Sequence, residues 1–173
     1  MWLGKMSKLA VLVLVTFAGF SLPAFSADQP VLPASAVADK VVVLKGERKL
    51  LLIKGDEVLK KYNVALGANP IGGKVRRGDN RTPEGSYVLD RHNANSQFHK
   101  SIHISYPNAA DVARARRLGV SPGGDVFLHG LPNDFHGPVG SGDWTEGCIA
   151  LTNEEIDEIW QMVADGTPIE IEP

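Results

Sequence analysis

The chain has 173 residues, enough for one ordinary domain, and its 43% hydrophobic and 22% charged content excludes a wholly disordered chain. A net charge of −2 argues against a generally basic nucleic-acid binder. The one cysteine, Cys148, excludes an intramolecular disulfide and any multi-cysteine zinc or iron–sulfur site.

The N-terminus reads as an export signal. Lys5 and Lys8 flank the start of an uncharged apolar run, Leu9 to Phe20, and Pro23 and the small-residue stretch Ala24-Phe25-Ser26 follow it. A run of about 12 residues falls short of the roughly 20 needed to span a bilayer. Residues 1–26 are therefore expected to be a cleaved signal peptide, with no stable membrane insertion afterwards. Residues 27–38, rich in Ala and Pro and without periodicity, are expected to be a linker, and residues 39–173 the folded domain. Export makes Cys148 unusual. Proteins in oxidising compartments mostly pair their cysteines, and an unpaired thiol there is either buried or reactive.

From Lys40 onward the pattern is strand-like. Val41 to Lys45, Lys49 to Lys54 and Glu57 to Leu66 are strand candidates separated by the turns Gly46-Glu47 and Gly55-Asp56, which predicts hairpins. Asn69 to Thr82 is a polar, Gly-rich loop, and Ser86 to Leu89 another strand. Ser101 to Tyr106 alternates apolar and polar residues as a half-buried strand does. Asn108 can cap a helix running to Leu118, closed by Gly119. Asp125 to Leu128 is a strand leading into His129-Gly130. Thr152 and Glu155 form a capping-box pattern for a helix with the apolar stripe Ile156, Ile159, Trp160 and Val163. Ile169 to Glu172 should close the sheet. The expected fold is a single, mainly β, antiparallel-sheet-rich domain with two short helices.

The segment Trp144 to Leu151, WTEGCIAL, sets Cys148 after a glycine and before a capped helix. A cysteine in a Gly turn can present its sulfur to solvent, and Gly147 permits close approach of a substrate backbone. The N–H groups of Gly147 and Cys148 could point at a developing oxyanion. A nucleophilic thiolate needs a base or cation nearby. Among His92, His99, His103, His129 and His136, His129 stands out, because it ends an apolar strand and is held by Gly130. The alternative is a Cys148 that is simply a small buried hydrophobe. Tyr106 and Ser105 end a strand and could line a cleft, and His136, in a Gly/Pro-rich stretch, could belong to a lid. Arg76, Arg77 and Arg81 offer a carboxylate clamp or a solvated loop. His99 and His103 are four apart, a zinc spacing on a helix, but their setting reads as strand and lacks the accompanying Glu. No metal site is expected.

The span from His129 to Cys148 resembles the signature of the L,D-transpeptidase family with the YkuD-type catalytic domain: His129-Gly130, a gap, then Thr145-Glu146-Gly147-Cys148. Thr82-Pro83-Glu84-Gly85-Ser86-Tyr87 is similar to the TPxGxF/Y motif that opens a strand in that family, and the resemblance runs over roughly residues 38–173. It implies a β-sandwich-like catalytic domain. It also implies an exported enzyme, working in the periplasm or cell-wall space on peptidoglycan stem peptides. Cys148 would attack the carbonyl of the third stem residue, usually meso-diaminopimelate, release the terminal D-Ala and pass the acyl group to an amine. His129 would be the general base, and Gly147 would supply an oxyanion N–H. Gly130, Thr145, Glu146, Tyr106 and His136 are the expected substrate-binding residues, with no cofactor, no nucleic-acid partner and a monomeric state. The chain departs from the family at Glu146, where His is usual, and at Ala150, where Arg or Asn is common. The same thiol used with water would make a carboxypeptidase or amidase. A non-catalytic peptidoglycan-binding domain is the alternative of another class.

Overall fold

A computed structural model describes residues 37–136 and 142–173. The expected signal peptide and nearly all of the expected linker lie outside the described residues. The packed body begins one residue inside the expected linker: Ala38 is buried and donates its N–H to the Met162 carbonyl at 2.8 Å. Among the described residues no helix is long and apolar enough to cross a membrane.

Eight strands form one sheet, in the order β3-β2-β1-β8-β4-β5-β6-β7. The two hairpins expected at the start are present: β1 (Lys40–Leu44) pairs antiparallel with β2 (Lys49–Lys54), and β2 with β3 (Glu57–Asn63). The C-terminal strand β8 (Thr167–Glu172) does not lie at an edge. It is inserted between β1, to which it runs parallel, and β4 (Gly85–Asn93), to which it runs antiparallel. Its alternation explains the placement, because Thr167, Ile169 and Ile171 are buried while Pro168 and Glu172 are exposed. β5 (Ser101–Ile104) follows β4, and β6 (Val126–His129) follows β5, both antiparallel.

The last strand, β7 (Ile149–Ala150), has two residues and runs parallel to β6. Its other side meets the far end of the sheet, where Ala65, just beyond β3, exchanges two backbone hydrogen bonds with Ala150 (3.0 and 2.8 Å). The sheet therefore curls until its first and last strands touch. Strand β3 stops at Asn63, short of the expected Leu66, because the chain there leaves β2 for this seam.

Both helices carry capping boxes. Asn108 and Asp111 cap α1 (Ala109–Arg117), and Thr152 and Glu155 cap α2 (Asn153–Met162). Helix α2 buries Ile156 and Ile159 completely, in one core with Leu128, Ile102, Ile104 and Ile149. One face of β5–β6–β7 is thus committed to the core. The alternate residues on the opposite face, Ser101, Phe127 and His129, are free to line a cleft.

Gly130 belongs to this packing. A Cβ there would lie 2.6 Å from Asn153 Oδ1 and 3.0 Å from His99 Cβ, and its N–H reaches the Phe98 and Lys100 carbonyls. Gly130 is thus a packing residue behind His129, and the expectation that it binds substrate is corrected by that burial. Gly130→Ala is expected to destabilise the fold by about 2 kcal/mol, the cost of overpacking, measured as a lower urea midpoint at unchanged slope.

Candidate active site

Cys148 and His129 line one cleft of about 620 Å³. Strand register explains how. Leu128 pairs with Ile149, so Cys148, one residue earlier, stands level with Phe127, and His129 lies two residues along on the same face. The turn before β7 is tied by Thr145. Its Oγ1 donates to the Cys148 carbonyl at 2.7 Å and accepts the Gly147 N–H at 3.1 Å, and its own N–H and C=O bond Leu66 and Ala68.

That clamp corrects one expectation. The Gly147 N–H is turned to Thr145 and is not free for an oxyanion, whereas the Cys148 N–H has no partner among the described residues. Gly147 is required for a different reason. Its φ is +132°, and a Cβ would lie 2.6 Å from the Arg81 carbonyl oxygen and 3.4 Å from Lys74 Nζ.

His129 is 4% exposed, against Phe98 (ring centroids 4.5 Å apart) and Trp144 (5.8 Å). The Gly130 carbonyl lies 2.6 Å from Nδ1, so Nδ1 carries the proton and Nε2 is left as the basic nitrogen of the neutral ring. Burial lowers the imidazole pKa below its ordinary value, and the Gly130 hydrogen bond opposes this. Burial likewise pushes the Cys148 thiol up. The Phe127 backbone and Lys74 pull it down, while Glu146 and Asp125 push it up further. The thiol itself donates to the Asp125 carbonyl at 3.7 Å. A neutral thiol and a neutral imidazole lining one cleft are the resting state these surroundings favour, and a thiolate then forms only as a base takes the proton.

The remaining expected residues divide. Thr145, Glu146 and Gly147 line the cleft, with Glu146 exposed. Tyr106 does not: it is 3% exposed, packs edge-on to Tyr87 and donates to the Pro122 carbonyl at 2.9 Å. The apolar body of a strand-end tyrosine has gone to the core, where it props the segment leading to the cleft residues Gly123 and Gly124. His136 is exposed and is not among the cleft-lining residues, and the rest of its loop, 137–141, lies outside the described residues. Of the three arginines only Arg77 lines the cleft. His99 and His103 turn to different carboxylates, Asp157 and Asp90, and no metal-ligating cluster occurs among the described residues.

Lys74, Phe98, Trp144 and the polar run Asn93, Asn95, Ser96 and Gln97 also line the cleft, and of these only Trp144 carries a signal in the sequence. Trp144 adjoins the Thr145-Glu146-Gly147-Cys148 motif, which is a usable signal. Lys74 has none, because a lysine in a polar loop ordinarily faces water.

Residues 38–171 match the family model of the YkuD L,D-transpeptidase catalytic domain. YafK of Escherichia coli (strain K12) is 33% identical over 129 residues, covering 71% of this chain and 46% of that protein. The helical cell shape determining protein Pgp2 of Campylobacter jejuni superposes with a TM-score of 0.61 at 26% identity, over 77% of this chain and 46% of that one. The chain thus spans about half the length of these two relatives. The L,D-transpeptidase of Xylanimonas cellulosilytica (TM-score 0.51, 15% identity, 80% and 62% covered) shares the fold.

Asp79 organises the loop behind the cleft, accepting from the N–H groups of Val75, Arg76 and Arg81 and from Lys74 Nζ at 2.9 Å. Burial raises its pKa, but these donors outweigh burial and hold it at about 2, below the ordinary 3.8. A depressed carboxylate stabilises the fold above its unfolded pKa and loses that contribution as pH falls through the folded one. Asp79→Ala is expected to cost about 3 kcal/mol at neutral pH, since it strands a buried lysine. The gap to wild type should narrow as pH drops from about 4 to about 2, read from urea midpoints across that range.

Proposed function

The chain belongs to the YkuD family of L,D-transpeptidase catalytic domains, and on that premise we propose that it is an exported cysteine acyltransferase acting on peptidoglycan stem peptides. The observation that carries the reading is the placement of Cys148 and the free Nε2 of His129 on one face of the sheet, in one cleft, with Nδ1 fixed by Gly130. The layout of residues 1–26 supports work outside the cytoplasmic membrane. The likeness to Pgp2, a helical cell shape determining protein, supports a part in wall remodelling.

In the proposed reaction His129 Nε2 takes the thiol proton as Cys148 Sγ attacks the carbonyl of the third stem residue. The unpaired Cys148 N–H is the donor available to the oxyanion. His129 returns the proton to the departing D-Ala amine, leaving a thioester on Cys148. An acceptor amine, deprotonated by the same nitrogen, then attacks the thioester and frees the thiol. The exposed Glu146 stands at the mouth of the cleft, where a cationic amine acceptor approaches.

Incubation with purified muropeptides, analysed by mass spectrometry, is expected to give 3–3 crosslinked dimers. Cys148→Ala should abolish them, a loss on the order of 10³-fold or more. Shortened stems without dimers would replace transfer by hydrolysis at the same thiol, and full activity in Cys148→Ala would overturn the assignment. Because the imidazole pKa is lowered, its basic form persists to lower pH than in an ordinary histidine. The acid limb of kcat/KM is therefore expected to have its midpoint below the ordinary value of 6.5.

A further inference from the structure

Glu146 sets a carboxylate beside a thiol that burial already holds in its neutral form. Some group must offset both if a thiolate is to form. The charged or titratable groups lining the cleft around Cys148 are His129 on β6, Asp125 just before β6, Glu146 on the same turn, and Lys74 and Arg77 on the loop before β4. Arg77 is exposed, so its charge is screened by water. Lys74 is 4% exposed, and a charge there acts through a poorly screened medium.

The geometry aims that charge at the thiol's turn. Asp79 holds Lys74 Nζ, but the same carboxylate also serves three backbone N–H groups. An ammonium has three donors, and Asp79 is the one hydrogen-bond partner of Nζ among the described residues. On the other side is Gly147, where even a Cβ would be only 3.4 Å from Nζ. The absence of a side chain at Gly147 leaves the ammonium open to the turn that carries Cys148.

We propose that Lys74 is an electrostatic positioning residue that sustains the Cys148 thiolate and offsets Glu146. It deepens the reading of this site as a thiol acyltransferase and rests on it. The Phe127 backbone and Lys74 are the influences that pull the thiol toward its charged form.

The test is the pH dependence of Cys148 alkylation by iodoacetamide, a neutral reagent that needs no substrate. Lys74→Met is expected to move the alkylation midpoint upward and slow the reaction near pH 7 about three- to tenfold, roughly half to one pKa unit. Lys74→Arg should restore most of the rate. Lys74→Met combined with Asp79→Asn removes both charges of the pair, guards against a fold lost to an unpaired carboxylate, and should show the same upward movement. A profile that superimposes on wild type in either folded variant overturns the proposal. Crosslinking activity is a separate readout. A shifted profile in a protein that makes no crosslinks sinks the acyltransferase reading alone, and unshifted profiles in an active protein sink this inference alone.

Discussion

The backbone of Gly147 lies so close to the Arg81 carbonyl that no side chain fits between them. Much of the site's geometry follows from that approach. Gly67 meets the same point from a third direction, where a Cβ would lie 3.1 Å from Gly147 Cα and would clash with the Asn80 carbonyl oxygen. Three strands of chain thus cross with nothing but backbone between them. Thr82, fully buried, takes the Gly67 N–H on its hydroxyl, and Asp79 folds the loop that delivers Arg81 to the crossing. The turn bearing Cys148 can lie this close to its neighbours because Gly147 and Gly67 carry no side chains.

This close approach is matched by a spare electrostatic design. Phe98 and Trp144 keep water from the His129 ring and so keep it neutral. The same dryness makes a lone thiolate costly. The surroundings do not stabilise a resting ion pair. They keep the proton on sulfur and the receiving nitrogen bare, while Lys74 and Glu146 act on the thiol in opposite directions. A nucleophile held in its thiol form is also a poorer target for adventitious oxidants than a standing thiolate.

Much of this is legible in residues that act locally. Asn108, Thr152 and Glu155 cap the helices they promise, and the Gly turns after Leu44 and Lys54 make hairpins, since both effects operate within a few residues. His129 and Cys148 are legible as a pair through their motif. Contacts between distant segments are not. The insertion of β8 between β1 and β4 depends on a parallel pairing across most of the chain. Strand β7 is two residues long, too short for any periodicity. Tyr106 looks like a cleft residue because it ends a strand, and Gly130 because it follows His129, but strand alternation and helix packing bury both. Lys74 is invisible because its burial is created by Asp79 and by a glycine on another element.

The seam between Ala65 and Ala150 has a consequence for how the molecule comes into being. Those residues are far apart in sequence, and joining them brings the two ends of the sheet together. Pairings of that kind form slowly, because a long loop must be closed before the contact repays it. Cys148 sits two residues from the seam, and Phe127, Lys74 and His129 reach it from separate stretches of chain. The tuned environment of the thiol is therefore a property of the finished fold, and a chain in which those stretches have not met carries an ordinary cysteine.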